Sequence, residues 1–505
     1  MHSAKDRGFL LPAALRTDLG PFSRECVEAF SLRTGLQAED GDPWLFLKKA
    51  RLPEEGYRLT VEKDRVTLEA ATERGVFWGL TTLYLQLKEG EAPLGKTEDA
   101  PKHPHRGLSL DCVRHFFSVR EVEKILEQMA LVKMNVLHFH LSDDQGWRIE
   151  SLRFPELHRR SGEYYTREEL QSLVAFARLR GIDVIPEIDL PGHTTAILAA
   201  YPELGCTGER PALATEGGVY TTILCGGDEG VFRFLEELLP EVMELFPDER
   251  FHIGGDEAPK AQWSRCPRCR QRLQELGSED LEDLQADFTR RVIQILRDHG
   301  KRPICWNEAL KGDISPDELT VQYWTDDGWD RMRRYIRQGR PWIYASMYET
   351  YLDYPYAMTP MGKLFRLRLP RKQGLLGLEA ALWTEHISTP EKLHRQLFPR
   401  LYALGELGWR GGHGSRRGFY RRMEDLCAGA ERCGITPMPR EDWDPRGKKR
   451  QEEALGFFQK MNGGVLEDTV PENIHKAEPS LREMVRYVTR FFRLTDLVAL
   501  AKLYF

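Results

Sequence analysis

Residues 106–141, RGLSLDCVRHFFSVREVEKILEQMALVKMNVLHFHL, contain two short apolar stretches separated by a segment with helical spacing of its apolar side chains. The stretches at 106–112 and 135–141 have the length of buried strands. Ser118 is a suitable N-cap for a helix over 119–132. A strand, a helix and a second strand in this order are typical of a parallel βαβ unit.

The same alternation of strands and helices continues toward the C-terminus. Two intervening segments are clear helices, one over 167–180 with Thr166 as its N-cap and an amphipathic one over 281–299. Eight strands with helices between them predict a (β/α)8 TIM barrel, with a doubly wound sheet as the alternative. The six further strand candidates are 182–188, 250–255, 302–307, 320–325, 341–347 and 376–383.

A different pattern precedes the barrel. Residues 57–62 and 65–70 alternate apolar and polar side chains, and Lys63-Asp64 between them predicts a hairpin turn. Residues 72–87 then carry apolar side chains at helical spacing. These features predict a small α+β domain.

The chain is therefore expected to contain three units, and the third has helical periodicity. Its apolar face is expected to pack against the barrel, and consists of Leu481, Met484, Val485, Val488, Phe491 and Phe492. The expected bounds are 1–98 for the small α+β domain, 99–410 for the (β/α)8 barrel and 411–505 for the helical C-terminal extension.

Composition restricts the partners of this 505-residue chain. Its 41% hydrophobic residues can form a large core, and its net charge of -6 lacks the basic excess that nucleic-acid binding needs. We expect no nucleic acid as a partner. No run of residues approaches the ~20 apolar residues of a membrane span, and no secretory signal is recognisable. A cytoplasmic location is therefore expected.

The nine cysteines are odd in number and scattered, as is typical of a reduced protein. Cys266-Pro-Arg-Cys269 offers half of a zinc site, but no second CxxC motif or well-spaced histidine pair follows it. We therefore interpret this segment as a loop with two free thiols, and expect neither a metal nor a cofactor.

Polar and aromatic residues follow every predicted strand, at the end of the barrel where active sites lie. Carboxylates together with tryptophans predict a pocket for a polyhydroxylated ring, since indoles stack on sugar faces while acids bind hydroxyls. These residues are Asp111, Arg114, His138, His140, Asp143, Asp144, Glu187, Asp189, His193, Asp256, Glu257, Trp306, Asn307, Glu308, Trp324, Asp326, Tyr351, Asp353, Trp383 and Glu385.

Asp256 and Glu257 are adjacent carboxylates. Consecutive residues of a regular strand face opposite sides, so both can face one pocket only where the strand gives way to its loop. Gly254-Gly255 permits the sharp backbone conformations that such a position needs. The structural alternative is an aspartate that caps a helix followed by a glutamate in its first turn.

Eight motifs at these strand ends are LDCVRH at 110–115, HLSDDQGW at 140–147, PEIDLPGH at 186–193, HIGGDE at 252–257, WNE at 306–308, QYW at 322–324, YLD at 351–353 and LWTE at 382–385. Together they resemble the family-20 glycoside hydrolases, the β-N-acetylhexosaminidases. The resemblance implies exo-hydrolysis of terminal, non-reducing β-linked N-acetylhexosamine from glycans or glycoconjugates. It leaves the choice between N-acetylglucosamine and N-acetylgalactosamine open.

The resemblance implies that Glu257 is the general acid/base and that Asp256 orients and stabilises the 2-acetamido group of the substrate. In this family the acetamido oxygen attacks the anomeric carbon and forms an oxazolinium intermediate, an exception to the usual pair of opposed carboxylates. His193 is implied as a partner of Glu257, with Asp189 behind it to set its tautomer. Tyr351 is implied as a donor to the acetamido oxygen.

The resemblance also implies which residues contact the sugar. The acetamido methyl and the sugar face would be walled by Trp306, Trp324 and Trp383. The outer hydroxyls of the terminal sugar would be bound by Arg114, Asp353 and Glu385. These contacts close the pocket behind one sugar and make cleavage exo-acting.

Two other functions are consistent with a barrel of this kind. His138-Phe139-His140 has the spacing of metal ligands, as in a metal-dependent amidohydrolase, but the lysine and the later ligands of such a site are not evident. A non-catalytic sugar-binding protein is expected to lack the acid or the orienting carboxylate, and this chain has both.

Overall fold

Eight parallel strands close into a barrel in the computed structural model, which describes residues 8–312, 314, 319–466, 474–475 and 490–491. The predicted TIM barrel is confirmed. The doubly wound alternative is wrong, because the last strand pairs with the first and leaves no open edge. Strands β1 to β8 are His105–Asp111, Val136–His140, Asp183–Glu187, Arg250–His252, Arg302–Trp306, Thr320–Tyr323, Trp342–Tyr344 and Leu375–Leu382.

Helices connect the strands and cover the barrel. Thr166 caps its helix through a reciprocal capping box with Glu169, as its position predicts. Ser118 occupies the N-cap position of the first barrel helix, but its hydroxyl makes no capping hydrogen bond. The helices of the barrel are Val119–Leu131, Glu156–Ser161, Arg167–Arg178, Thr195–Ala200, Glu229–Met243, Pro267–Glu275, Leu281–Asp298, Trp329–Arg337, Met361–Arg366, Pro390–Leu397 and Arg400–Arg410.

The barrel interior contains an aliphatic cluster and, nearer the carboxyl ends of the strands, a concentration of polar side chains. Val136 packs in the interior with aliphatic residues of β3, β5 and β7. Farther along β2, His138 and His140 lie on the same side as Val136, because alternate residues of a strand share a face. The polar residues are thereby gathered at the carboxyl ends of the strands.

The N-terminal domain is a five-stranded sheet covered by two helices, Glu25–Thr34 and Glu73–Gln86. The predicted hairpin is present as antiparallel strands Tyr57–Val61 and Val66–Ala70. In spatial order the strands are Thr17–Asp18, Leu45–Lys49, Val66–Ala70, Tyr57–Val61 and Gly95–Asp99. Two short strand pairs complete the domain: Phe9–Leu10 with Glu91–Ala92, and Ala14–Leu15 with Gln37–Ala38.

A buried ion pair joins this domain to the barrel. Glu55 of the N-terminal domain pairs with Arg106 of β1 and accepts hydrogen bonds from Asn135 at 2.9 Å and from Trp78 at 2.8 Å. A buried charge is tolerated only when its hydrogen bonds are satisfied, so these contacts fix the orientation of the domain on the barrel.

Helices Arg416–Arg432 and Gly447–Leu466 follow the barrel. The apolar face predicted farther on lies outside the described residues except for Phe491, whose ring is 5.0 Å from that of Tyr354. None of the helices in the described ranges combines the length and apolar character of a bilayer span. The expected domain bounds at 98 and 410 stay predictions.

Candidate active site

Two glycines turn the chain where β4 gives way to its loop. Gly254 and Gly255 have φ angles of 62° and 97°, which favour glycine. A Cβ atom on Gly254 would lie 1.8 Å from Oδ1 of Asp189, so the close approach excludes any side chain there. The Gly255 N–H donates to the same Asp189 oxygen at 3.0 Å.

Glu257 follows this turn with a φ of 41°, and 35% of its side chain is exposed. Its backbone N–H donates to Glu308 at 3.3 Å, and its Oε2 atom lies 3.5 Å from Nε2 of His193. The helix-capping alternative is wrong, because the next helix begins only at Pro267. Glu257 is thus held at the mouth of the barrel by its backbone, with its carboxyl group accessible.

His193 is held by two aspartates of the loop after β2. Its Nδ1 atom lies 3.1 Å from Asp143 and 3.2 Å from Asp144. Burial lowers the pKa of His193, but these carboxylates, Asp143 first, raise it well above its usual value. The two aspartates thus favour the protonated imidazole, and its Nε2 atom faces Glu257.

This arrangement corrects the expected role of Asp189. Asp189 does not hydrogen-bond to Nδ1 of His193, because that atom faces Asp143 and Asp144. The Asp189 carboxylate instead accepts the N–H of Gly255 and shapes the turn before Asp256.

Asp256 is buried beside Asp189. Burial and the neighbouring charge of Asp189 raise the pKa of Asp256 well above its usual value. Burial also raises the pKa of Asp189, to about 7, against the attraction of His193. Asp256 Oδ1 is buried and has no hydrogen-bond partner among the described residues. A buried acceptor without a partner indicates a position that a ligand donor would satisfy.

An aromatic wall lies next to these carboxylates. Tyr351 stacks on Trp324 with ring centroids 6.2 Å apart and planes 14° apart, and its ring is 6.3 Å from that of Trp383. The indole N–H of Trp324 has no partner among the described residues. Burial raises the pKa of Tyr351, which keeps its hydroxyl protonated as a donor.

Trp306 differs from the expectation. It is 1% exposed, and its indole N–H donates to Glu187 at 2.8 Å. Its ring packs in the barrel interior, 4.8 Å from His252 and 6.0 Å from Trp383. Trp306 therefore packs against Trp383 inside the barrel and does not form a third accessible side of the pocket.

Charged groups mark the far side of the site. Arg114 pairs with Asp143 at 2.6 Å, and its guanidinium lies 5.1 Å from the Trp383 ring. Glu385 interacts electrostatically with both Arg114 and Asp353. Burial raises the pKa values of Asp353 and Glu385, and Asp353 Oδ1 has no partner among the described residues.

The two histidines of β2 contact glutamates inside the barrel. His138 lies between Glu379 at 2.8 Å and Glu187 at 3.1 Å, and His140 lies 2.5 Å from Glu187. Although burial lowers their pKa values, the carboxylates raise that of His138 to about 9 and that of His140 to about 10. Both histidines are thus part of a buried network of charged side chains that links β2, β3 and β8.

Two glutamates have roles that sequence reasoning missed. Glu379, on β8, accepts from Gln322 at 2.6 Å and contacts His138. Glu308 fixes the backbone of Glu257 and is paired with Lys311 at 2.7 Å. In the sequence, Glu379 stands out as a glutamate within a buried apolar strand. Glu308 belongs to the WNE motif at 306–308, but the motif alone does not indicate its role.

Family models match most of the chain. The model described as "Glycosyl hydrolase family 20, catalytic domain" matches residues 103–412. The model described as "Glycosyl hydrolase family 20, domain 2" matches residues 19–100.

Several relatives and solved structures are similar to this chain. A β-hexosaminidase of Porphyromonas gingivalis is 34% identical over 77% of this chain, which spans 56% of that relative. A β-hexosaminidase of Akkermansia muciniphila is 32% identical over 78% of this chain and 88% of its own length. The crystal structure of a Bacteroides fragilis β-N-acetylhexosaminidase has a TM-score of 0.79 at 29% identity, covering 86% of this chain and 95% of that one. A Vibrio harveyi exo-β-N-acetylglucosaminidase in complex with N-acetylglucosamine has a TM-score of 0.77 at 26% identity, covering 86% and 76% of the two chains.

Proposed function

The chain belongs to glycosyl hydrolase family 20, and from this premise we propose that it is an exo-acting β-N-acetylhexosaminidase that removes terminal, non-reducing N-acetylhexosamine from glycans. One observation carries the proposal. Asp256 and Glu257 follow one glycine turn and both interact electrostatically with Tyr351, and Asp256 Oδ1 is buried with no hydrogen-bond partner among the described residues. This arrangement fits a substrate that brings its own nucleophile.

Glu257 starts the reaction as the general acid. Its proton passes to the glycosidic oxygen while the acetamido oxygen of the substrate attacks the anomeric carbon. The bond to the leaving alcohol breaks, and an oxazolinium intermediate forms. The partial exposure of Glu257 supports this role, because the leaving group must extend out of the pocket.

Asp256 and Tyr351 act on the acetamido group. Asp256 Oδ1 accepts the acetamido N–H and opposes the positive charge that develops there, while the Tyr351 hydroxyl donates to the attacking oxygen. Fixed groups in a buried site stabilise a developing charge without the reorganisation that water requires. The Trp324 indole N–H beside Tyr351, which has no partner among the described residues, offers a further donor.

Glu257 ends the reaction as a base. It takes a proton from water, which attacks the anomeric carbon from the side that the leaving group has vacated. The bond from that carbon to the acetamido oxygen breaks, the acetamido group re-forms, and the β configuration is retained. Protonated His193, 3.5 Å from Glu257 Oε2, stabilises the carboxylate between the two steps. Arg114, Asp353 and Glu385 form the closed end that admits one terminal sugar.

A panel of chromogenic glycosides tests this function. We expect hydrolysis of 4-nitrophenyl β-glycosides of N-acetylglucosamine or N-acetylgalactosamine, and none of the β-glucoside, which lacks the acetamido nucleophile. The ratio of kcat/KM for the two amino sugars reports the preference at the 4-hydroxyl. Equal turnover of the glucoside, or no turnover of either amino sugar by folded protein, would contradict the proposal.

A further inference from the structure

Four cysteines with no part in the proposed reaction come together in the fold. Their Sγ atoms lie within 4.8 Å of one another, and three of the four residues are buried. In the sequence only Cys266 and Cys269 have the spacing of zinc ligands, and no second ligand pair follows them. The two other cysteines precede this pair in the chain, and their spacing follows no zinc-binding motif. The cluster consists of Cys206, Cys225, Cys266 and Cys269.

The distances between the sulfur atoms match a tetrahedral metal site. Cys206 and Cys269 are 3.7 Å apart, and Cys225 lies 3.8 Å from Cys266 and 3.5 Å from Cys269. Zinc–sulfur bonds of about 2.3 Å in a tetrahedron separate the sulfur atoms by about 3.8 Å. A disulfide would need about 2.05 Å, and all four thiols are free. We propose that these four cysteines bind a structural zinc ion.

Hydrogen bonds of the surrounding backbone hold the ligands in place. Cys225 N–H donates to the Leu204 carbonyl at 2.9 Å, and the Trp263 indole donates to the Leu224 carbonyl at 2.8 Å. Cys266 precedes helix Pro267–Glu275, whose N-terminus favours thiolates. These hydrogen bonds help to position the segments that carry the ligands.

A glycine permits the close approach of the two halves. A Cβ atom on Gly227 would lie 2.2 Å from the Arg268 carbonyl oxygen and 2.6 Å from the Cys269 nitrogen. Only a residue without a side chain allows the segment after Cys225 to lie against the CxxC segment. The sequence Cys225-Gly226-Gly227 therefore suits a ligand loop that packs on a second one.

Arg268 supplies positive charge beside the cluster. Four thiolates and one Zn²⁺ leave a net charge of minus two, which a nearby cation stabilises. The guanidinium of Arg268 hydrogen-bonds to Cys266, interacts electrostatically with Cys225 and donates to the Gly205 carbonyl at 2.8 Å. It also pairs with Asp228. This one side chain contacts the chain on both sides of the cluster.

The cluster closes the base of a loop that reaches the candidate active site. Between Thr207 and Val219 only Ala214 is buried, so the loop has little apolar packing of its own. Ala214 N–H donates to the Asp144 carbonyl at 3.1 Å, and a Cβ on Gly217 would lie 2.6 Å from Cγ of Glu385. The zinc ion therefore fixes both ends of a loop that contacts residues of the pocket.

Metal analysis of the full chain, purified without metal-affinity steps, tests the proposal directly. We expect about one zinc ion per chain by inductively coupled plasma mass spectrometry. Cobalt exchanged into the site should give the sulfur-to-cobalt charge-transfer band and the intense visible bands of a tetrahedral thiolate complex. Protein without zinc, with iron in its place, or with a Cys225–Cys269 disulfide in its peptide map would overturn the zinc assignment.

Cysteine variants locate the metal. Cys225→Ser and Cys269→Ser should each lose the bound zinc, whereas Cys427→Ser, which changes a buried cysteine of helix Arg416–Arg432, should keep it. Zinc retained at full stoichiometry by both cluster variants would contradict the site.

Limited proteolysis of the wild-type protein tests the zinc site even if the cysteine variants do not fold. Glu209 and Glu216 are exposed in the loop between Cys206 and Cys225. Endoproteinase Glu-C should cut there faster after a strong chelator has removed zinc from the wild-type protein, and zinc should restore protection. Equal cutting of the zinc-loaded and zinc-depleted forms would contradict the role in the loop. None of these measurements depends on glycosidase activity. A failure of the zinc proposal can therefore be distinguished from a failure of the proposed function.

Discussion

Glu257→Gln is expected to lower kcat/KM for an N-acetylhexosaminyl disaccharide by about 10²- to 10⁴-fold, the usual contribution of general acid–base catalysis. Glutamine has nearly the same shape but cannot release a proton to the glycosidic oxygen. A 4-nitrophenyl glycoside needs little protonation, because nitrophenolate is a good leaving group. With this substrate, hydrolysis of the oxazolinium intermediate becomes the slow step. The variant should therefore still release an initial burst of nitrophenol.

The comparison of leaving groups is the control for folding. Damage to the fold would lower both reactions together, whereas loss of the acid selects against the poor leaving group. Glu236→Gln, at an exposed position of helix Glu229–Met243, should behave as wild type with both substrates. Equal losses with both leaving groups would contradict the role of Glu257. A glycosyl azide of inverted configuration, formed by Glu257→Ala in the presence of azide, would contradict the substrate-assisted scheme.

Asp256→Asn is expected to lower kcat by about 10²- to 10³-fold, the range measured for removal of one preorganised group that stabilises a transition-state charge. Asparagine can still accept the acetamido N–H, but it has no negative charge to oppose the positive charge that forms there. Burial and Asp189 already raise the pKa of Asp256, so its carboxylate depends on that positive charge for its stability. Steady-state kinetics should show a fall in kcat with a smaller change in KM.

Asp425→Asn, at an exposed position of helix Arg416–Arg432, is the matched control and should leave both constants unchanged. A thiazoline analogue of the intermediate should lose affinity for Asp256→Asn far more than the product sugar does, because only the analogue resembles the charged species. Equal losses for the analogue and the product would mean that Asp256 holds the sugar without stabilising the intermediate.

The barrel could be predicted from the sequence because each strand is a short apolar run and each connection carries the periodicity of a helix. All eight strand candidates lie within about three residues of the observed strands, an error that is normal for boundaries. The position of the Asp256–Glu257 turn also follows from local chemistry, since two glycines before adjacent carboxylates restrict the possible backbone.

Contacts between distant segments could not be predicted. His193 takes its partners from the loop after β2, and the choice of Asp143 and Asp144 over Asp189 depends on how that loop folds across the barrel. The burial of Trp306 depends on its contacts with Glu187 and His252 from other strands, which the sequence pattern does not encode. The cysteine cluster combines three chain segments, so only the CxxC pair stands out in the sequence.

The central claim is that the substrate supplies the nucleophile, and a series of N-acyl substrates tests it most directly. Replacing one, two or three hydrogens of the acetamido methyl group with fluorine weakens the nucleophilicity of the carbonyl oxygen and does not change the leaving group. The wild-type protein should show log(kcat/KM) falling steeply and steadily with the number of fluorine atoms. A flat series would contradict the account, because an enzyme nucleophile or an activated water does not depend on the acyl oxygen.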